Sequence, residues 1–225
     1  QLSSSILQHF NLRTIELPGH GESPRMENYT FLKVIEILVE QLNEEKNYVL
    51  VGHSLGGHFC IEALPKLKGC LGLLLCGTPP LRKPLNISEA FNPDERMGLL
   101  FKKNLTTDEM EVLANFISSN KDLTVIKTAI EQSDPNFRKD MGFAVAKGEL
   151  LDEIEILTKT KIPIALVQGE SDDLVNRNYL ESLKLDSFWK NRINYIKNAG
   201  HSPHFENSNS FNELILEFVN SIQKP

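Results

Sequence analysis

Val49-Leu-Val-Gly-His-Ser-Leu-Gly-Gly-His58 is the stretch that decides the fold. An apolar run of strand character breaks into Gly-x-Ser-x-Gly, and a helix-like segment follows at once. This is the spacing of the sharp strand-to-helix turn called a nucleophile elbow. Such a turn forces its middle residue into a strained backbone conformation, so Gly52 and Gly56 are expected where any Cβ would collide with the neighbouring strand or helix. Ser54 is thereby pushed into the open. The N–H groups of the helix's first turn, led by Leu55, would point at the place where an oxyanion forms. Taken alone, the pentapeptide is also compatible with a Gly-rich turn around a buried serine.

Two later segments favour the first reading. Ile162-Pro-Ile-Ala-Leu-Val-Gln-Gly-Glu-Ser-Asp-Asp-Leu-Val175 is an apolar strand running into a Gly turn, with the carboxylates Asp172 and Asp173 just past its end. Ile193-Asn-Tyr-Ile-Lys-Asn-Ala-Gly-His201 is again a strand, a loop and then His. In a parallel α/β sheet, functional groups gather outside the carboxyl ends of the strands. Ser54, the Asp172/Asp173 pair and His201 all follow strand ends, in the order nucleophile, acid, histidine. His204 lies a turn beyond His201; the latter, directly after the strand-end Gly200, is the better placed of the two.

Composition narrows the class. The chain has 225 residues, 40% of them hydrophobic, enough for one large domain or a domain carrying an insertion. Its formal net charge is −6 with no basic cluster, which argues against nucleic acid or an anionic membrane surface as partner. No apolar run approaches a membrane span, and Gln1 to Phe10 has no secretory pattern. Cys60, Cys70 and Cys76 lie in apolar stretches without disulfide or metal spacing, pointing to a reducing, cytoplasmic setting.

Along the chain, Leu12 to Leu17 reads as a short strand and Pro18-Gly-His-Gly-Glu-Ser-Pro24 as a turn-rich loop. His20 in that loop is read chiefly as a histidine bonded to its own turn. Phe31, Ile35, Leu38 and Leu42 place an amphipathic helix within Thr30 to Glu45. Cys70-Leu-Gly-Leu-Leu-Leu-Cys76 has the near-continuous apolarity of a strand buried on both faces, and it ends without a carboxylate. His53 and His58 flank the elbow on different helical faces, which disfavours a shared metal.

From residue 81 to about 160 the strands stop. Thr106-x-x-Glu109 is a capping box opening a helix with Met110, Leu113, Ala114 and Ile117 on one stripe; Leu123, Ile126 and Ile130 make a second, and Leu150 to Leu157 a third. This reads as a helical insert, residues 81–160, lying over Ser54 as a cap on a core made of residues 1–80 and 161–225. Ser210-x-x-Glu213 is read as the cap of a final helix whose Phe211, Leu214, Ile215, Phe218, Val219 and Ile222 keep a 3.6-residue period.

With these blocks in hand, the chain resembles an α/β-hydrolase with a helical cap, from about Leu12 to Ile222. Gly52-His-Ser-Leu-Gly-Gly-His58, Cys76-Gly-Thr-Pro-Pro80, Ile162-Pro-Ile-Ala-Leu-Val-Gln-Gly169 and Asn198-Ala-Gly-His201 are similar to the corresponding blocks of the α/β-hydrolase type of N-acyl-homoserine lactonase. That resemblance implies Ser54 as nucleophile, Asp172 as acid, Asp173 being the alternative, and His201 as base, with Leu55 donating to the oxyanion. It implies a serine hydrolase that opens a small ester or lactone through an acyl-enzyme, without metal or organic cofactor. A general carboxylesterase, a C–C bond hydrolase and a non-catalytic binding protein on the same fold are the other readings. Leu113 departs from the lactonase pattern, which has an aromatic side chain there.

The resemblance also implies a mostly parallel sheet with helices on both faces, and N-terminal strands lying upstream of this chain. Such folds reach their Pro-Gly-His-Gly loop after a further strand and a His-Gly loop that gives the second oxyanion N–H. The expectation is thus a chain about 40–50 residues longer, with a gap between the strands at Leu12 and Val49.

Overall fold

Residues 70–76 form the centre of the sheet because every second side chain of this apolar run meets a different core. In the computed structural model, which describes residues 4–118 and 122–222, β2 (Cys70–Cys76) sends Leu73 and Leu75 into one hydrophobic cluster and Leu74 and Cys76 into the other. Burial on both faces is what a parallel strand between two helical layers requires. Around it stand β1 (Tyr48–His53), β3 (Ile164–Gly169) and β4 (Phe188–Ile196), all parallel, in the order β1-β2-β3-β4.

One face is covered by α1 (Phe31–Leu42) and α2 (Leu55–Ala63), whose Val34, Ile35, Leu38, Phe59 and Ile61 pack on Leu73, Leu75 and Leu166. Thr30 caps α1, its side chain accepting the Lys33 N–H. The opposite face is covered by α11 (Ser208–Ile222), with Phe211, Ile215 and Phe218 against Leu74, Ala165 and Val167.

Between β2 and β3 the chain forms α3 (Ile87–Ala90), α4 (Met97–Leu100), α5 (Thr107–Ile117), α6 (Thr124–Gln132), α7 (Pro135–Ala146) and α8 (Glu153–Lys159). The capping box at Thr106 and Glu109 is present, both halves bonded. By contrast α8 returns to the sheet layer and packs against α2. Two short helices, α9 (Arg177–Ser182) after β3 and α10 (Pro203–Glu206) after β4, complete the chain's course.

Three sequence expectations need correction. Leu12 to Leu17 is not a strand, and no ladder joins it to β1, which is the sheet's edge among the described residues. An alternating run becomes a strand only through a partner, and here the loop claims it: Ser23 Oγ donates to the Glu16 carbonyl at 2.8 Å and the Glu22 N–H to the Glu16 carboxylate at 2.9 Å. Second, Gly56 has open space where its Cβ would be; Gly52 is crowded as expected, a Cβ there falling 2.6 Å from the Gly57 Cα, and the second crowded glycine is Gly57, where a Cβ would fall 2.1 Å from Thr78 Oγ1. Third, α11 begins at Ser208, so Ser210 lies inside it and Asn207 Oδ1 accepts the Ser210 N–H at 3.4 Å. In addition, α7 has no apolar stripe in the sequence to announce it, although Asp134 at its N-cap and Pro135 in its first turn are ordinary start signals.

Candidate active site

The elbow is built from backbone outward. Ser54 sits at φ 49° and ψ −125°, a left-handed conformation costly for a residue with a Cβ. It persists because its surroundings hold it: its N–H donates to the Cys76 carbonyl at 2.9 Å, and Thr78 Oγ1 donates to the carbonyls of Ser54 at 3.0 Å and Cys76 at 3.1 Å. Directly behind it α2 begins. The N–H groups of Leu55 and Gly56 belong to the helix's first turn, where no carbonyl four residues back can accept them.

Asp172 enters from the turn after β3. Its side chain is 1% exposed, and Oδ2 accepts from His201 Nδ1 at 2.9 Å and from Gln168 Nε2. Oδ1 accepts the N–H groups of Leu174 at 2.8 Å and Val175 at 3.3 Å. Burial pulls this carboxyl's pKa up, but the bond to His201, its charge and the two N–H donors outweigh that and hold it below the usual value. Asp173 points to solvent.

His201 follows β4, and its Nε2 lies 3.0 Å from Ser54 Oγ. Serine, imidazole and carboxylate thus stand in one hydrogen-bonded line. Gly77, at φ 58°, makes room for the ring, since a Cβ there would sit 3.0 Å from His201 Cε1. The loop carrying His201 is tied down at three successive residues. The Gly200 N–H donates to the Glu206 carboxylate, the His201 carbonyl accepts from His53 Nε2 at 2.8 Å, and Ser202 Oγ donates to the Ile117 carbonyl at 2.7 Å. Ser118 Oγ, at the end of α5, donates to Glu206 at 2.9 Å.

The remaining candidates sit elsewhere. His204 lies against the rings of His53 and Phe211, with its pKa pulled down to about 4 by burial and then by His201. His20 Nδ1 is 3.2 Å from the Pro18 carbonyl in its own turn, and its ring meets Phe137 edge-on. His58 points away from Ser54 and bonds both oxygens of Glu153, at 2.8 and 3.0 Å. Burial pushes the Cys60 thiol up to about 12, and the Cys76 thiol upward too, so neither is a nucleophile. Among the described residues no cluster of three or more His, Cys, Asp or Glu could hold a metal ion. Sequence reasoning missed Gln168, Thr78 and Glu206, and weighed His53 only as a metal ligand. Only Gln168 carried a signal, as the one amide in an otherwise apolar buried strand.

A parallel sheet whose first strand turns through a serine into a helix, with a histidine and an aspartate brought to that serine beyond the strand ends, defines the class as an α/β fold of elbow type. More narrowly, the chain belongs to the alpha/beta hydrolase family, whose sequence profile matches residues 2–214. Among curated proteins it is similar to the pimeloyl-[acyl-carrier protein] methyl ester esterase of Yersinia pseudotuberculosis, 25% identical over 96% of this chain and 85% of that one. Among solved structures it is similar to a serine-to-glycine mutant of N-acyl homoserine lactonase AidH complexed with N-hexanoyl homoserine lactone, at TM-score 0.87 and 23% identity, covering 92% of this chain and 79% of that one. It is also similar to a thermophilic esterase from Thermogutta terrifontis, at TM-score 0.73 and 19% identity, covering 93% and 79%.

Proposed function

We propose that this chain is a serine hydrolase that cleaves a small ester or lactone through an acyl-enzyme. Ser54 is the nucleophile, His201 the general base, Asp172 the acid that orients it, and the Leu55 N–H one oxyanion donor. The observation that carries the reading is the unbroken line Ser54 Oγ, His201 Nε2, His201 Nδ1, Asp172 Oδ2, with bonds of 3.0 and 2.9 Å. His201 takes the Ser54 proton as Oγ attacks the carbonyl carbon. The oxyanion is met by helix N–H groups that need no reorganisation. The same imidazole returns the proton to the leaving alcohol, then deprotonates the water that releases the acid. In a lactone, alcohol and acid leave as one ring-opened molecule.

Residues 81–160 form the cap in this reading, with α8 as its return to the core. Among relatives, one acts on a methyl ester and a structural neighbour is an N-acyl homoserine lactonase. An N-acyl homoserine lactone is therefore the substrate we propose first, with simple carboxylic esters as the broader class. The test is labelling by a fluorophosphonate, followed by hydrolysis of p-nitrophenyl esters and of acyl-homoserine lactones of increasing chain length, the latter read by pH-stat. Ser54→Ala is expected to abolish labelling and lower kcat by several orders of magnitude. Unlabelled wild type, or an active Ser54→Ala, would overturn the triad. Turnover of esters but of no lactone would leave an esterase.

A further inference from the structure

The residue before the serine has a task of its own. His53 closes β1, is partly buried, and its Nε2 stands 2.8 Å from the carbonyl oxygen of His201. A carbonyl can only accept, so the proton sits on Nε2 and the tautomer is fixed. The ring also packs against the side chain of His201, centroids 5.0 Å apart, and against His204, at 4.4 Å. Burial first, then the neighbouring charges of His204 and His201, keep its pKa well below 6.5, so near neutral pH it is an uncharged donor.

From these contacts we infer, on the reading of Ser54 and His201 given above, that His53 is a positioning residue: it fixes the backbone of the general base relative to the nucleophile. The reasoning is geometric. Ser54 is covalently next to His53, and the His53 ring grips the backbone of His201 from that side. A single rigid link therefore spans the two elements whose side chains must meet at 3.0 Å. Two other ties on this loop come from Glu206, in α10, and from Ile117, at the end of α5. Neither of those residues lies on β1, the strand that leads into Ser54. Displacing a general base by about 1 Å costs rate roughly 100-fold with little effect on binding.

The test compares His53→Gln, whose amide nitrogen can occupy the place of Nε2, with His53→Asn, whose amide falls short of it. p-Nitrophenyl ester turnover, fluorophosphonate labelling and melting temperature are measured on each and on wild type. The imidazole proton shared by His201 and Asp172 is followed by proton NMR. His53→Asn is expected to lose about 10–100-fold in kcat with KM within about twofold, and to lose or broaden the shared proton signal. His53→Gln is expected to stay within about threefold of wild type in kcat and to keep that signal. Equal kcat in all three proteins would overturn the inference, as would equal loss in both variants alongside lowered melting temperatures, the mark of a merely structural role. Should His53→Asn not fold, His53→Gln decides alone, near-normal kcat supporting the inference and a loss of tenfold or more overturning it. A wild type that neither labels nor turns over ester would instead bring down the triad reading itself, and this inference with it.

Discussion

Asp172 and Asp173 are chemically identical neighbours, yet only the first is gripped by backbone N–H groups, a glutamine and an imidazole. That grip gives an asymmetric prediction. In Asp172→Asn the amide oxygen would stay with the Leu174 and Val175 N–H groups, turning its NH₂ toward His201 Nδ1. The imidazole proton would then move to Nε2, where it faces Ser54, and the base is lost. A fall of about 10³–10⁴-fold in kcat is expected, against less than threefold for Asp173→Asn, as steady-state ester hydrolysis would show. That Ser54, His201 and one of the two aspartates would meet was legible from strand-end position and family register. The partners were not: His58 meets Glu153 across 95 residues, a distance no local pattern spans. Beside that pair, Glu62 accepts the Leu151 N–H at 2.9 Å, and burial first, with Glu153 adding to it, carries its pKa from 4.5 to about 7. A carboxyl raised on folding binds more protons folded than unfolded, so its favourable contribution is complete below pH 4.5 and is lost as pH rises to about 7. Glu62→Gln should melt like wild type near pH 4.5 and be more stable by roughly 2–3 kcal/mol at pH 8. Thermal denaturation at the two pH values checks this, and equal differences at both would refute it.

At the scale of elements, what could be read in advance was whatever one segment decides for itself. The buried strands announced themselves by continuous apolarity, and α1, α5 and α11 by their stripes. Leu12 to Leu17 misled because alternation proposes a strand while only a partner makes one. Among the elbow's glycines Gly56 misled for the same reason, since steric need depends on what lies opposite, whereas Gly52 is crowded as expected. Thr78 lies opposite Gly57 and cannot retreat, because its hydroxyl is engaged with the Ser54 and Cys76 carbonyls. Gly57→Ala is therefore expected to destabilise by about 1–3 kcal/mol through overpacking and to displace the serine. Gly56→Ala, into open space on a helix, should stabilise by about 0.5–1 kcal/mol. Urea denaturation of both proteins tests the pair of signs.

Across the whole molecule, the loop before α1 and the helices between β2 and β3 are joined by a buried polar knot. The Tyr29 hydroxyl donates to Asp134 at 2.8 Å and accepts the Met26 N–H at 3.0 Å, the Asp134 N–H donates to the Gly19 carbonyl at 2.7 Å, and the Tyr29 N–H donates to Asp140 at 3.0 Å. Tyr29→Phe leaves Asp134 short of a donor and Met26 short of an acceptor, at an expected cost of about 1–3 kcal/mol. If residues 81–160 act as a cap seated through this knot, the same variant should exchange amide protons faster at Asp134 to Ala146, and unchanged protection there would count against it. The order of the sheet has one more consequence. Among the described residues strand order equals chain order, and Ser54 and His201, 147 residues apart in sequence, follow its first and its last strand. During synthesis the elbow can close as soon as β2 leaves the ribosome, but its serine has no imidazole to meet until β4 and the loop after it have emerged. Along a series of stalled nascent chains, phosphonate labelling would stay silent and then appear abruptly, so that topology itself keeps an unfinished polypeptide chemically quiet.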